Sequence, residues 1–197
     1  METPCSPELA AKTINQPLQT AGDGVGPLYH RRYWVDFDEK PGSETAIMKT
    51  LIGNINACSP TVLAEFQKTK GDLRELKVGD EFLVKINGPW DGPVRVVERS
   101  SNSFTLQTLR GHLEAGRIQF SIIEQETGWF RLLIESFARS QNRFVDFFYT
   151  RVPIIRWIQR MMWTSFCRRF VRDVLPATRG PRSARVTGSV CERTVMR

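Results

Sequence analysis

The stretch TLRGHLEAG, residues 108–116, sets His112 two positions before Glu114 and frames both with Gly111 and Gly116. A histidine beside a carboxylate suits general acid/base chemistry, because imidazole titrates near neutral pH and a neighbouring carboxylate orients it. Two residues of extended chain separated by one position point the same way, and glycines let a ligand approach the backbone. The same residues also suit a strand connection, in which the glycines make a turn or bulge and His112 pins it by bonding a backbone group. His30 is the only other histidine, so a histidine-rich metal centre is excluded. Cys5, Cys58, Cys167 and Cys191 show neither C-x-x-C spacing nor a histidine at ligand spacing. That pattern points to reduced thiols rather than a zinc site or a disulfide framework. No Ser-His-Asp or Cys-His arrangement is assignable and no phosphate-binding glycine loop occurs. No metal and no cofactor is expected.

Other candidate residues each have two readings. Trp90 and Asp91, in GPWDGP, could form the lip of a cavity or fold back on a sheet. Arg139 and Ser140 could meet the anionic head of a ligand, or Ser140 could cap the following helix, since it fits an N-cap position. Phe147, Phe148, Tyr149, Trp157 and Met161 could line an apolar pocket or simply fill a core.

These residues need elements to position them. YHRRYWVDFDE reads as a first strand, about 29–37. ETAIMKTLIGNINAC places Ile47, Met48, Leu51, Ile52 and Ile55 at helical spacing. SPTVLAEFQK then opens like a second helix, with Ser59 as N-cap and Pro60 at the first helical position. From about residue 80 to 138 the apolar period falls to two. Phe82, Val84 and Ile86, then Val94 and Val96, then Phe104, Leu106 and Thr108, mark successive strands. Ile118, Phe120 and Ile122 continue the series, as do Phe130, Leu132, Ile134, Ser136 and Ala138. Short connections make these an antiparallel meander with one apolar face. The cover for that face is residues 141–174, divided at Pro153, with Ile154, Ile155, Ile158, Met161, Met162, Phe166 and Phe170 on one stripe.

Charge is uneven. Residues 1–138 carry 15 Lys+Arg against 18 Asp+Glu, whereas residues 139–197 carry 13 Arg, no Lys and 3 acids. Arg156, Arg160, Arg168, Arg169 and Arg172 flank the apolar stripe of the last helix. Such a face is either solvated or a contact for anionic membrane or acidic partners, and nucleic acid is not expected without a recognised motif. No apolar run reaches the roughly 18 residues of a membrane span. With no basic-then-apolar leader at the start, a cytoplasmic location is the expectation.

A strand, two short helices, an antiparallel meander and a long C-terminal helix is the element order of the START-like, helix-grip architecture, an α+β fold whose curved sheet wraps the last helix. The expected domain is 29–175, preceded by a flexible arm (1–28) and followed by a disordered basic tail (176–197). Beyond the pattern, VGDEFLVKI, FTLQTLRGHLEAGRIQF, IESFARS and PIIRWIQRMMWTSF resemble segments of the domain of unknown function 1990 family, also catalogued as uncharacterised protein family 0548. The resemblance spans about residues 29–174 and includes Pro153 and Gln159. It implies a START-like fold and no particular reaction. The reading that results is a binder of a small hydrophobic or amphipathic ligand held between sheet and C-terminal helix. Its expected contacts are Trp90, Phe104, His112, Phe120, Ile134, Ser136, Arg139, Phe148 and Trp157. The alternatives are a cyclase- or hydrolase-like enzyme using His112 and Glu114, and a peripheral interaction protein using the arginine-rich third.

Overall fold

A computed structural model describes residues 16–38, 42–60, 64–72, 75–86, 91–146, 153–175 and 191–196, the backbone alone for 153–158 and 191–196. Eight strands form one antiparallel sheet in the order β2-β3-β4-β5-β6-β7-β1-β8. They are β1 (Val25–Phe37), β2 (Ala64–Lys70), β3 (Glu81–Ile86), β4 (Asp91–Arg99), β5 (Ser103–Thr108), β6 (Glu114–Glu124), β7 (Phe130–Ser140) and β8 (Cys191–Met196). Helices α1 (Glu44–Gly53) and α2 (Ile55–Cys58) follow β1, and the long helix α3 (Pro153–Arg169) runs into a π-helical turn, Phe170–Val174. The chain is therefore a helix-grip, START-like α+β fold. Among the described residues, no helix is long and apolar enough to cross a membrane.

The period-two residues do what their spacing dictates. Phe82, Val84, Val94, Val96, Phe104, Leu106, Phe120, Ile122, Leu132 and Ile134 are all buried on the concave face. α3 and its π-turn add Trp163, Phe166, Cys167, Phe170 and Val171 to the same core. The rings interlock: Phe104 stacks on Phe120 at 4.7 Å, Phe120 meets Trp163 at 5.6 Å and Phe166 at 5.8 Å, and Phe37 meets Phe170 edge-on at 5.9 Å. Such pairs add to what area burial alone contributes. Cys58 and Cys167 are free and buried here, and burial pushes both thiols up to about 12.

Four local expectations change. The helix expected from Ser59 gives way to a strand from Ala64: α2 ends at Cys58, Ser59 Oγ donates to the Ala64 carbonyl (2.6 Å), and β2 pairs with β3. The Asn56 side chain fixes this outcome. Its Oδ1 accepts from Phe66 N–H (2.8 Å) and its Nδ2 donates to the Phe66 carbonyl (2.9 Å), imitating a neighbouring strand along the free edge of β2. Ser140 is the last residue of β7, and Asn142 caps the helical turn at 143–146 by accepting from Val145 N–H (2.9 Å). β1 starts at Val25, and the chain just before it already packs: Gln19 is buried, its N–H donates to the Thr108 carbonyl (2.7 Å), and Leu18 bridges Leu109. Finally, the backbone of 191–196 supplies β8, which occupies the edge of β1 that an unpaired strand would leave open.

Candidate functional site

Residues 109–113 connect β5 to β6, with Gly111 at φ +100°, a conformation that side-chain-bearing residues rarely adopt. His112 N–H donates to the Leu109 carbonyl (3.1 Å), closing the turn. His112 Nδ1 accepts from the backbone N–H of Glu114 (2.9 Å), so Nδ1 carries no proton. The other ring nitrogen lies against Gly92 at the start of β4, where a Cβ would stand 2.8 Å from Nε2. Burial pushes the imidazole below its ordinary 6.5, against the opposing pull of the Glu114 charge. From the strap before β1, the Gln19 side-chain amide donates to the carbonyls of both His112 and Glu114 (3.0 Å each). The motif is thus a strand connection clamped from two sides, with His112 as one of the clamps.

The Glu114 carboxylate points to a different set of partners. Arg31 Nη1 donates to Oε1 (2.9 Å) and Gln159 Nε2 donates to Oε2 (3.0 Å). Arg31, only 6% exposed, sits on β1 in the same alternation as Tyr29, Tyr33, Val35 and Phe37, on the concave face. Register places Ser136 directly between Arg31 on β1 and Ile118 on β6. Ser136 is 5% exposed, and its Oγ has no hydrogen-bond partner among the described residues. Gln159 brings α3 onto the group, and Ile118 and Met162 beside it are only partly buried. A guanidinium, a carboxylate, an amide and a hydroxyl therefore converge between sheet and helix. The aromatic core fills the side toward Phe166 and Phe170. This arrangement places hydrogen-bonding groups on an otherwise apolar face between sheet and helix, and it does not join the imidazole to the carboxylate as an acid/base pair.

The other expected residues fall in distinct places. Phe104, Phe120 and Ile134 are fully buried in the ring-packed core, one register row from Ser136. Arg139 lies on the opposite face of β7 and donates to the Gly26 carbonyl (2.7 Å). Trp90 and Phe148 lie outside the described residues, as do the side chains of Trp157 and Arg156. Of the remaining arginines, Arg160 and Arg168 are exposed, Arg169 donates to the Ser59 carbonyl (3.2 Å), and Arg172 pairs with Asp173 (2.9 Å). Among the described residues, no group of three His, Cys, Asp or Glu could hold a metal ion. A cleft of about 380 Å³ beside the strap is lined by Leu18, Gln19, Asp23, Arg110 and Gln141, a set separate from the concave polar group. Arg31 and Gln159 were not anticipated, although each carries a signal: a polar residue at a position where the period demands an apolar one.

Residues 63–169, just over half of the chain, match the family model described as Domain of unknown function (DUF1990), and the chain belongs to that family. No curated protein matches it. Among solved structures it is similar to ginseng major latex-like protein 151 from Panax ginseng, with 15% identity, coverage of 75% of this chain and 99% of that one, and a TM-score of 0.51. It is also similar to a conserved protein from Geobacillus kaustophilus (10% identity, 75% and 96% coverage, TM-score 0.51). A third is the di-domain ARO/CYC StfQ from the steffimycin biosynthetic pathway (10% identity, 80% and 53% coverage, TM-score 0.52). At these identities the likeness is one of fold.

Proposed function

We propose that this DUF1990 chain binds a small amphipathic molecule between its curved sheet and α3. The apolar body would lie along Ile118 and Met162, with its polar end at Ser136, Arg31, Glu114 and Gln159. The observation that carries this reading is the Ser136 hydroxyl, buried on the concave face with no hydrogen-bond partner among the described residues, next to an ion pair under the helix. Buried polar groups are ordinarily satisfied, and an exception calls for a water, an ion or a ligand. A ligand chain of about ten carbons offers roughly 0.8 kcal/mol per buried CH₂, against an association cost of about 4–15 kcal/mol. Apolar burial thus supplies the affinity, and the polar group sets the orientation.

An enzyme built on His112 and Glu114 is less well supported, because His112 Nδ1 is committed to a backbone N–H and the carboxylate to Arg31 and Gln159. Native mass spectrometry of the full chain purified from cells, followed by solvent extraction, tests the binding reading. The expected result is a discrete small-molecule adduct that is lost on denaturation. A bare mass, together with an unmoved melting temperature across a panel of amphipathic alcohols, ketones and acids, would count against it.

A further inference from the structure

The concave polar group also bears on what kind of head a ligand can present, an inference that rests on the ligand-binding reading above. In register, Leu106, Ile118, Ser136 and Arg31 form one row across β5, β6, β7 and β1. Within that row the guanidinium is already matched: Arg31 Nη1 meets Glu114 Oε1 at 2.9 Å, both side chains are largely buried, and Gln159 holds the second carboxylate oxygen. The flanking rows add no charge on this face, since they present Tyr29 and Ala138 on one side and Tyr33 and Ile134 on the other. Among the described side chains, a ligand head arriving beside Ser136 therefore meets one positive and one negative group that are already paired with each other.

Ions fare badly at such a place. An anionic head would face the Glu114 carboxylate, and an ammonium would face the Arg31 guanidinium, each leaving water without gaining a counter-ion of its own. An uncharged hydroxyl or carbonyl meets neither penalty. It can bond the Ser136 hydroxyl, which both donates and accepts. We propose that the site selects ligands with an uncharged hydroxyl or carbonyl head, with Ser136 as the hydrogen-bond partner and the Arg31–Glu114 pair excluding charged heads.

Isothermal titration calorimetry of the full chain near neutral pH, with decanol, decanoate and decylamine, tests this, because the three probes share one alkyl chain. Decanol is expected to bind at least about tenfold more tightly than either ion. Glu114→Gln, which leaves Arg31 without its carboxylate, should narrow or invert the decanol–decanoate preference. Ser136→Ala should weaken decanol by roughly three- to tenfold, the worth of one hydrogen bond, and circular dichroism identifies any variant that fails to fold. The wild-type comparison stands without the variants. Decanoate binding the wild type as well as decanol would overturn the head-group inference while leaving the pocket in place. No binding by any of the three would overturn both.

Discussion

His112 is held at both ring edges, by the Glu114 N–H on one side and by the close approach of Gly92 on the other. Gly92→Ala should therefore destabilise the protein by about 1–3 kcal/mol, the usual cost of overpacking. The same substitution in a His112→Ala background should cost much less, because among the described residues the imidazole supplies both contacts under 3 Å at that site. A double-mutant cycle by urea denaturation reads this coupling directly, and strictly additive effects would contradict it. His112 also carries a pH signature. Its folded-state pKa lies below the ordinary 6.5, so on acidification the unfolded chain takes up the proton first. Stability from this group is complete above 6.5 and declines as the pH falls through and below that value. Denaturation midpoints at about pH 7.5 and about pH 5.5 should differ by less in His112→Gln than in the wild type. The residue types at 112 and 114 suggested chemistry, but the use made of them depends on partners far away in the chain. Arg31 is 83 residues from Glu114, and Gln19 is 93 from His112.

At the scale of elements, β3 to β7 were legible because an isolated antiparallel strand with one wet face writes its burial into a period of two. The rise of Arg31 and Ser136 onto the apolar face was legible in the same way, as polar residues in an apolar alternation. β2 was not. Ser59–Pro60 matches a helix start, and what overrides it is tertiary: pairing with β3 on one edge and the Asn56 amide on the other. Asn56→Ala should accordingly cost about 1–3 kcal/mol, since two Phe66 backbone groups lose their partners at once. It should also raise amide hydrogen exchange in β2 more than in β6. Equal protection in β2 of variant and wild type would show that β3 alone specifies the strand. Ser140 failed as a cap for a related reason. β7 extends two register pairs beyond Ala138, the end of its hydrophobic run, to Ser140 opposite Glu114, so the cap falls to Asn142.

For the whole molecule, the element order was enough to place the chain among helix-grip folds, since a meander with one apolar face and a terminal amphipathic helix has few ways to close. The candidate site was only half legible: Glu114 and Ser136 were named from their neighbourhoods, whereas their convergence with Arg31 and Gln159 requires the pairing of β1 with β7 and the seating of α3 over them. Among the described residues, the arginines of the arginine-rich third, the strongest compositional signal, are divided between solvent and internal bonds such as Arg169 to the Ser59 carbonyl. The central claim is that a ligand enters between sheet and helix at the Arg31–Glu114–Ser136–Gln159 group. The most direct measurement is a heteronuclear NMR titration of the labelled full chain with decanol, following the Gln159 side-chain amide, the Ile118 methyls and the Ser136 amide. These signals should move together and saturate, while those of His30 and Phe137, which stack at 4.2 Å on the convex face, stay fixed. Shifts confined to the convex face or to the exposed Arg160 and Arg168, with Gln159 and Ile118 unmoved, would contradict it.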